Sequence, residues 1–222
     1  MEYPNTLPAV FLSRPNRFIA RVRLPGGEIE TVHVKNTGRC RELLTEGASV
    51  ILSAPGSQGR KTKYDLVIVY KPGLGLVNLD SQAPNRVVLE WLQGQNCSVI
   101  RPEYTYGESR LDFYLEKDGR RILREVKGCT LEQNGIGYFP DAPTVRGTRH
   151  LAELAKAAGE GYRAIAAFVI QMPGITRILP NRQTDPDFAD ALERAEKAGV
   201  EILYLPCRVT ERTLEIAPGC TL

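Results

Sequence analysis

The first third of the chain is a series of short segments in which hydrophobic and polar residues alternate. A period of two is the pattern of a β-strand with one buried face. The segments cover residues 17–24, 28–34, 48–52, 64–70 and 74–78. Residues 39–44 suit one or two helical turns, and Pro25-Gly26-Gly27 is a turn signal. Five or so short strands with one helical insertion are typical of a small barrel such as the OB-fold.

Near residue 80 the pattern changes to an alternation of strands and helices. Hydrophobic residues recur at helical spacing in residues 84–93, 144–159 and 185–199. Thr144 and Asp185 are the candidate N-caps of the second and third helices. Strand-like runs lie at residues 99–106, 110–116, 121–127, 163–171 and 200–205, before a final short hairpin. We predict an OB-like barrel over residues 1–80 and an α/β domain over residues 81–222, so that the whole chain is α+β.

Composition is that of an ordinary globular protein and argues against several classes. Hydrophobic residues make up 42% and charged residues 25% of the 222 residues, which suffices for a normal core. The five cysteines are widely spaced and include no C-x-x-C pair, so neither a secreted disulfide framework nor a zinc knuckle is indicated. No apolar run approaches the roughly 18 residues of a membrane span, and residues 1–5 do not resemble a signal peptide. We expect a cytoplasmic protein that does not bind membranes.

Charge is unevenly distributed between the two predicted domains. Residues 1–80 contain 11 Lys/Arg and 7 Asp/Glu, a balance of +4, whereas residues 81–222 contain 18 and 19, a balance of −1. A polyanion would therefore bind mostly to the first third. Arg60, Lys61 and Lys63 lie in a flexible basic loop between two strands, and we predict that they contact nucleic acid. An ordinary solvated turn has the same composition.

The segment from Arg110 to Lys127 carries the strongest chemical signal. Asp118-Gly119 between two alternating runs predicts a two-residue hairpin turn, which pairs Lys117 with Arg120. Continued along both strands, this register places Asp112 directly opposite Glu125. Lys127 then projects from the same face as Glu125.

Two carboxylates at opposed positions would be about 5 Å apart at Cβ and would repel each other. They are explained if a divalent cation bridges them, and Mg²⁺ (or Mn²⁺) binds one or two protein carboxylates together with phosphate oxygens. We therefore predict a metal site at Asp112 and Glu125, and a catalytic site formed by these two residues with Lys127, which would assist the attacking water. The simpler interpretation is a pair of solvated charges on an exposed hairpin. A hairpin followed by a helix and a buried strand is the order required for a restriction-nuclease-like domain with a mixed central sheet.

Several blocks of sequence make a family resemblance specific. They are GESRLDF (107–113), EVKGCTL (125–131) and FPDAPTVRGTRHLAEL (139–154), with NTG (36–38) and PNR (84–86) before them. Through these blocks the chain resembles the sugar fermentation stimulation protein A family over nearly its whole length. The resemblance implies an OB-like domain followed by a PD-(D/E)xK nuclease-type domain, and DNA binding with little sequence preference. The family name also associates it with regulation of sugar (maltose) metabolism.

Five further residues are weaker candidates for the site. Glu90 on the first helix could add a carboxylate to the metal, although it also suits a solvated helix face. Gln171, at the end of an apolar strand, could orient phosphate or water, or cap backbone groups. Arg146, Arg149 and His150 near the start of a helix could contact phosphate, and a solvated helix face is the alternative for each.

Two functions remain open from the sequence. One is a Mg²⁺-dependent nuclease acting on DNA, for which a homodimer would be natural. The other is a DNA-binding regulator whose nuclease fold is idle. A sugar-metabolism enzyme has only the family name in its favour, and no nucleotide-hydrolysis, dinucleotide-binding or serine-hydrolase motif is present.

Overall fold

The computed structural model describes residues 1–36, 38–56 and 59–222, and fifteen strands and three helices lie within these ranges. Six strands precede the first helix: β1 (Thr6–Asn16), β2 (Ile19–Arg23), β3 (Ile29–Val34), β4 (Ser49–Ser53), β5 (Asp65–Lys71) and β6 (Gly75–Asn78). They form one sheet in the order β3-β2-β1-β4-β5-β6. An additional parallel pairing of β3 with β5 closes the first five strands into a barrel. The alternating residues of its strands, such as Ala20, Val22 and Val32, fill the interior with no exposed surface.

The sequence pattern missed β1, which is the longest strand of the barrel. Pro8 and Pro15 interrupt its alternation, and proline within a strand argues against a central position. The structure shows how Pro8 is accommodated. At Pro8 the strand pairs only with β4, because its pairing with β2 begins at Val10. One side of β1 is therefore free of a ladder at the residue that cannot donate a hydrogen bond.

The rest of the chain contains a second large sheet and three helices. Its elements are α1 (Ala83–Gln93), β7 (Val99–Tyr106), β8 (Ser109–Lys117), β9 (Arg120–Cys129), β10 (Leu131–Gln133), β11 (Ile136–Phe139), α2 (Val145–Gly159), β12 (Arg163–Ile170), β13 (Ile178–Pro180), α3 (Pro186–Lys197), β14 (Glu201–Val209) and β15 (Leu214–Ile216). The large sheet has the order β15-β14-β12-β9-β8-β7. Strand β12 runs parallel to both β9 and β14, and the remaining pairs are antiparallel. The mixed central sheet is thus as predicted.

The two faces of this sheet are covered by different helices. Val87, Val88 and Leu92 of α1 belong to one buried cluster with Ile165 and Val169 of β12. Leu151 and Leu154 of α2 and Phe188 of α3 belong to the other cluster. The predicted caps are present, since the Thr144 side chain accepts from the Gly147 N–H at 3.0 Å and that of Asp185 from the Phe188 N–H at 2.9 Å. Both helices therefore begin where the sequence predicts.

A small three-stranded sheet, β10-β11-β13, was not predicted. Its strands have only three or four residues, which is too short for a readable period. Its first strand reaches back to the barrel, because the Lys71 ammonium donates to the Glu132 carboxylate.

The barrel and the second sheet share a continuous core. One cluster of buried hydrophobic residues includes Val22 and Leu66 of the barrel together with Leu111 and Phe168. The main chain also crosses between the halves, since the Asn78 N–H donates to the Gln171 carbonyl oxygen at 2.9 Å. A boundary at residue 80 stays a prediction. No helix in the described ranges has both the length and the apolar character needed to cross a membrane.

Candidate metal and nucleic-acid site

The hairpin that carries the carboxylates has the predicted register. Lys117 pairs with Arg120, and the pairing continues to Phe113 opposite Arg124. Asp118 and Gly119 both have positive φ, at 51° and 73°, as a type I′ turn requires. The next position of each strand would be Asp112 and Glu125, so the hairpin brings these two side chains to one end of its ladder.

At Asp112 the backbone pairing between β8 and β9 has ended, and the Asp112 side chain binds the backbone of β9 instead. Its Oδ2 accepts from the Val126 N–H at 2.7 Å, and its Oδ1 accepts from the Asn85 Nδ2 at 2.7 Å. Asn85 lies on the first turn of α1, so the helix fixes the orientation of the carboxylate. Burial raises the pKa of Asp112, and the negative charge of Glu125 raises it further. The structure therefore places Asp112 where a negative charge is unfavourable in the absence of a cation.

Glu125 is more deeply buried and has stronger partners. It is 3% exposed, and its Oε1 accepts from the Lys127 Nζ at 2.7 Å and contacts the His150 Nδ1. Burial raises its pKa, but the hydrogen bonds from His150 and Lys127 outweigh burial and leave the pKa lowered. The Oε2 atom is buried and has no hydrogen-bond partner among the described residues. An orphaned buried oxygen beside a second carboxylate is a donor set that suits a hard cation.

His150 is placed differently from the sequence prediction. It is 1% exposed, with Nδ1 against Glu125 and Nε2 3.4 Å from the Arg146 Nε. Enclosed in this way it does not face a nucleic acid, and it positions the Glu125 carboxylate instead. The burial follows from its spacing with Leu151 and Leu154, which also face the sheet. Arg146 and Arg149 on the same helix are exposed, as phosphate contacts require.

Gln171 lies beside the site and is 2% exposed. Its Nε2 donates to the Asn78 Oδ1 at 2.9 Å and to the Asp80 carbonyl oxygen at 3.1 Å. Its Oε1 lies over Gly128, where an added Cβ would come within 2.5 Å of that oxygen and 2.6 Å of the Pro84 Cγ. Glycine is therefore required next to Lys127, because the amide and helix α1 approach the strand closely.

Glu90 is not brought to the carboxylate pair. Its Oε2 lies 2.6 Å from the amino group of Met1, and its side chain is about half exposed. Sequence reasoning placed it correctly off the hydrophobic face of α1, but could not show that the chain terminus meets that side. The residue of α1 that reaches the site is Asn85, for which the sequence carried no signal beyond the family resemblance, because the contact depends on how α1 packs against the hairpin.

The predicted basic loop is only partly available to a ligand. The Arg60 guanidinium is bound to the Asp65 carboxylate, which His33 also contacts at 3.1 Å. Lys61 and Lys63 are exposed, and the Lys63 Nζ lies 5.0 Å from the centroid of the Tyr64 ring. Ser57 and Gln58 of this loop, like Thr37 of the NTG block, lie outside the described residues.

A cleft of about 360 Å³ has Gly128, the residue after Lys127, in its wall and is lined by residues of both the barrel and the second half of the chain. Gly128 and Gln171 line it, and Asn36 and Gly38 of the barrel and Asp141 line it as well. Asp141 touches the barrel closely, since a Cβ on Gly38 would lie 2.6 Å from the Asp141 Oδ2.

Within the described ranges no group of three or more His, Cys, Asp and Glu side chains could together hold a metal. Two carboxylates are nevertheless within the usual protein ligand count of Mg²⁺.

Comparison with known proteins agrees with this architecture. Residues 12–79 match the family described as SfsA N-terminal OB domain, and residues 82–213 match that described as Sugar fermentation stimulation protein RE domain. The chain belongs to the sugar fermentation stimulation protein family. The predicted family resemblance and the predicted OB domain followed by a mixed sheet are therefore confirmed.

Relatives in this family match along almost the whole chain. A sugar fermentation stimulation protein homolog of Desulfitobacterium hafniense (strain Y51) is 52% identical over 100% of this chain and 98% of its own. The homolog of Ruminiclostridium cellulolyticum is 46% identical over 97% of this chain and 96% of its own. A solved structure of Pyrococcus furiosus SfsA, in complex with Ca²⁺, has 32% identity and a TM-score of 0.83, and covers 97% of this chain and 96% of that one.

Proposed function

We propose that this protein is a DNA-binding nuclease that depends on a divalent cation and has little sequence preference. The observation that carries the proposal is the pair formed by the half-buried Asp112 and the buried Glu125, with the Lys127 ammonium beside Glu125. Such a group of charges is expensive to bury, and carboxylates with perturbed pKa values cluster at functional sites. Residues whose charges perturb one another are candidates for catalysis, and the strand that carries Glu125 and Lys127 continues into the cleft at Gly128.

A divalent cation fits the residues that are present. Asp112 and the orphaned Oε2 of Glu125 would hold it, because both supply the carboxylate oxygens that hard cations prefer. The Ca²⁺ complex of Pyrococcus furiosus SfsA supports divalent-metal use at the level of the family. We propose Mg²⁺ or Mn²⁺ as the working ion. When bound, it would supply positive charge against the scissile phosphate and favour ionised water.

The protein side chains would perform the remaining steps. Lys127 would hold the attacking water or stabilise the additional negative charge of the transition state, since its ammonium group lies beside Glu125 with the side chain 11% exposed. Asn85 and the Val126 N–H would keep Asp112 oriented, and His150 would keep Glu125 oriented. Gln171, already anchored through its amide nitrogen, would present its oxygen beside Gly128 and the cleft.

DNA is the proposed partner because the barrel belongs to an OB-domain family and carries most of the excess positive charge. Arg146 and Arg149 would contact backbone phosphates next to the site, and Lys61 and Lys63 would extend the contact on the barrel. We propose a cytoplasmic location and, for cutting both strands, a homodimer. The name of the relatives connects them with sugar fermentation, and regulation of sugar (maltose) metabolism is the corresponding proposal for this chain.

A DNA-binding regulator with an idle nuclease fold is the second candidate. The observation in its favour is that both oxygens of Asp112 and one of Glu125 already have protein donors. Carboxylates held in this way can persist without a metal ion. This candidate requires DNA binding that weakens steeply with salt and does not need a divalent cation.

The deciding experiment measures cleavage of labelled single-stranded, duplex and branched DNA in Mg²⁺ and Mn²⁺. We expect Asp112→Asn and Lys127→Met each to lower the rate by at least about 100-fold, the usual loss for one group that stabilises transition-state charge. Asp118→Asn is the matched control, because it makes the same isosteric change in the turn of the same hairpin. Cleavage unchanged in Asp112→Asn would overturn the nuclease site. DNA binding without cleavage in either metal would select the idle-fold candidate.

A further inference from the structure

A cluster of arginines on the barrel lies next to the cleft and has no role in the site described above. Arg14, Arg17, Arg39 and Arg41 surround a second depression of about 290 Å³. Gly38 lines both this depression and the cleft, so the two are adjacent. We propose that this arginine cluster, with Phe18, binds one strand of a nucleic acid and leads it into the cleft. The inference rests on the proposed function, since it assigns the path by which the substrate reaches Lys127.

Arg14 builds the cluster and is not itself free to bind a ligand. Its Nη1 donates to the carbonyl oxygens of Gly38 at 2.8 Å and Arg39 at 2.6 Å. Its Nη2 donates to those of Arg17 and Asn36, each at 2.7 Å. One guanidinium thus joins the turn after β1 to the segment after β3. This cross-link gathers the other arginines on one side of the barrel.

The other three arginines are available for phosphate. Arg17, Arg39 and Arg41 are exposed. None of the three lies within ion-pair distance of a carboxylate in the part of the chain that the structure describes. In this they differ from Arg60 of the basic loop, which Asp65 already engages. Guanidinium groups of this kind bind phosphate oxygens in pairs of hydrogen bonds.

Phe18 makes a single strand the fitting ligand. It is 50% exposed, although the alternation of residues 17–24 predicted it on the buried face. The Asn16 Oδ1 accepts from the N–H groups of Phe18 at 2.9 Å and Ile19 at 3.1 Å, which fixes the turn that presents the ring. Phe18 follows Arg17 in this turn, and an exposed aromatic ring combined with arginines binds unpaired bases by stacking and their phosphates by charge. Base faces are not accessible within a duplex.

The size of the cleft also favours a single strand over a duplex. Its volume of about 360 Å³ is far too small for a double helix, and Asp141 lies close to Gly38 on its barrel side. Asp141 adds a negative charge at this contact. A strand passing here would therefore turn its bases toward the carboxylate, which can accept from the amino group of cytosine, and its phosphates toward the arginines.

The test is binding of a labelled single-stranded oligonucleotide and its duplex, measured by anisotropy in EDTA over a range of salt. The triple variant Arg17→Gln, Arg39→Gln, Arg41→Gln should bind the single strand at least about 10-fold more weakly. Its plot of log affinity against log salt should be shallower by about 2, the value for three lost phosphate contacts on a single strand. The control triple Arg177→Gln, Arg194→Gln, Lys197→Gln removes exposed cations from other faces and should bind like the wild type.

Phe18→Ala tests the stacking directly. It should weaken single-strand binding by about fivefold or more and leave duplex binding nearly unchanged. Tyr70→Ala is the matched control, because Tyr70 is an aromatic residue of the same barrel with 48% exposure and lies outside the cluster. Circular dichroism of each variant establishes that it is folded.

Three results would overturn the inference. They are an arginine triple that binds like its control, an equal loss for duplex and single strand in Phe18→Ala, and competition by polyglutamate as effective as that by unlabelled oligonucleotide. Because these measurements contain no divalent cation, they are independent of cleavage. If the triple variant binds weakly and the wild-type protein never cleaves DNA, the arginine cluster is supported and the nuclease proposal is wrong. If the triple variant binds normally and cleavage by the wild type requires Asp112, the nuclease proposal is supported and the arginine cluster is wrong.

Discussion

The two faces of strand β9 each bury a charged side chain, but within the described part of the chain only one of the two charges has hydrogen-bond partners. Glu125 faces α2, is 3% exposed, and is bound by Lys127 and His150. Its neighbour Arg124 faces α1, has no exposed surface, and finds no hydrogen-bond partner for any of its three guanidinium nitrogens among the described residues. The guanidinium carbon lies 5.1 Å from the centroid of the Trp91 ring, and burial lowers the pKa of Arg124 to about 10.

The difference shows that burial of a charge does not by itself mark a functional site. On the α2 face, charges of both signs are gathered on the strand that continues into the cleft at Gly128. On the α1 face a single charge lies in the hydrophobic core, and an aromatic ring compensates for only part of its lost hydration. The comparison leads to opposite expectations for the two neighbouring side chains.

The largest effect is expected for Glu125→Gln. Removing the anion of a buried charge pair leaves the Lys127 ammonium uncompensated, so the free energy of unfolding should fall by about 3 kcal/mol. The measurement is urea denaturation at pH 7 in EDTA, with Glu108→Gln on an exposed turn of the same sheet as the control. A loss no greater than that of the control would mean that the network contributes nothing to folding.

Arg124→Met should act in the opposite direction. Methionine fills a similar volume without a charge to desolvate, and such replacements of buried charges are neutral or stabilising. We expect the free energy of unfolding to rise by about 1 kcal/mol in the same denaturation assay. Arg124→Ala separates charge from packing, because it also removes the charge but leaves a cavity and should be destabilising. A clear loss of stability in the methionine variant would show that the guanidinium is favourable where it lies.

Asp112→Asn should have a smaller effect on stability although it abolishes the proposed metal site. The raised pKa means that the folded protein disfavours the charged form, so at pH 7 removing the charge should recover a few tenths of a kcal/mol. Asparagine can keep both contacts, accepting from the Val126 N–H and donating to Asn85 once that amide is rotated. If the metal-free variant lost more than about 1 kcal/mol of its free energy of unfolding, the charged form of Asp112 would be favourable in the folded protein. That result would contradict a raised pKa for Asp112.

The sequence predicted the parts of this site that depend on local geometry. The turn at Asp118-Gly119 determines the register of the hairpin, and the register alone brings Asp112 to the position opposite Glu125. The strand period then puts Lys127 on the same side. The helix caps at Thr144 and Asp185 were equally readable, because a cap is a contact within four residues of the chain.

Contacts between distant segments could not be predicted. Asn85 and His150 reach the carboxylates only because α1 and α2 pack on opposite faces of one sheet. Hydrophobic periodicity places His150 on a helix but does not state which strand it meets. The same limit explains Glu90, whose partner is the distant amino group of Met1, and Phe18, which a turn before β2 holds outward.

The pair formed by Lys71 and Glu132 lies outside both faces of β9 and provides a test away from that strand. It joins barrel strand β5 to β10, nearer to solvent than the network at Glu125. The hydrogen bond from Lys71 lowers the pKa of Glu132, and the Gly135 N–H lowers it further. A carboxyl group whose pKa is lowered in the folded state contributes stability at every pH above its ordinary pKa of 4.5. This contribution is lost as the pH falls through the pKa of the folded state. Glu132→Gln should therefore cost about 1 kcal/mol at pH 7, the upper range for an ion pair near the surface, and much less at pH 3. Taking the difference between wild type and variant at each pH removes the titration of all other groups. A difference that stays constant from pH 7 to pH 3 would show that the contact acts through packing and not through charge.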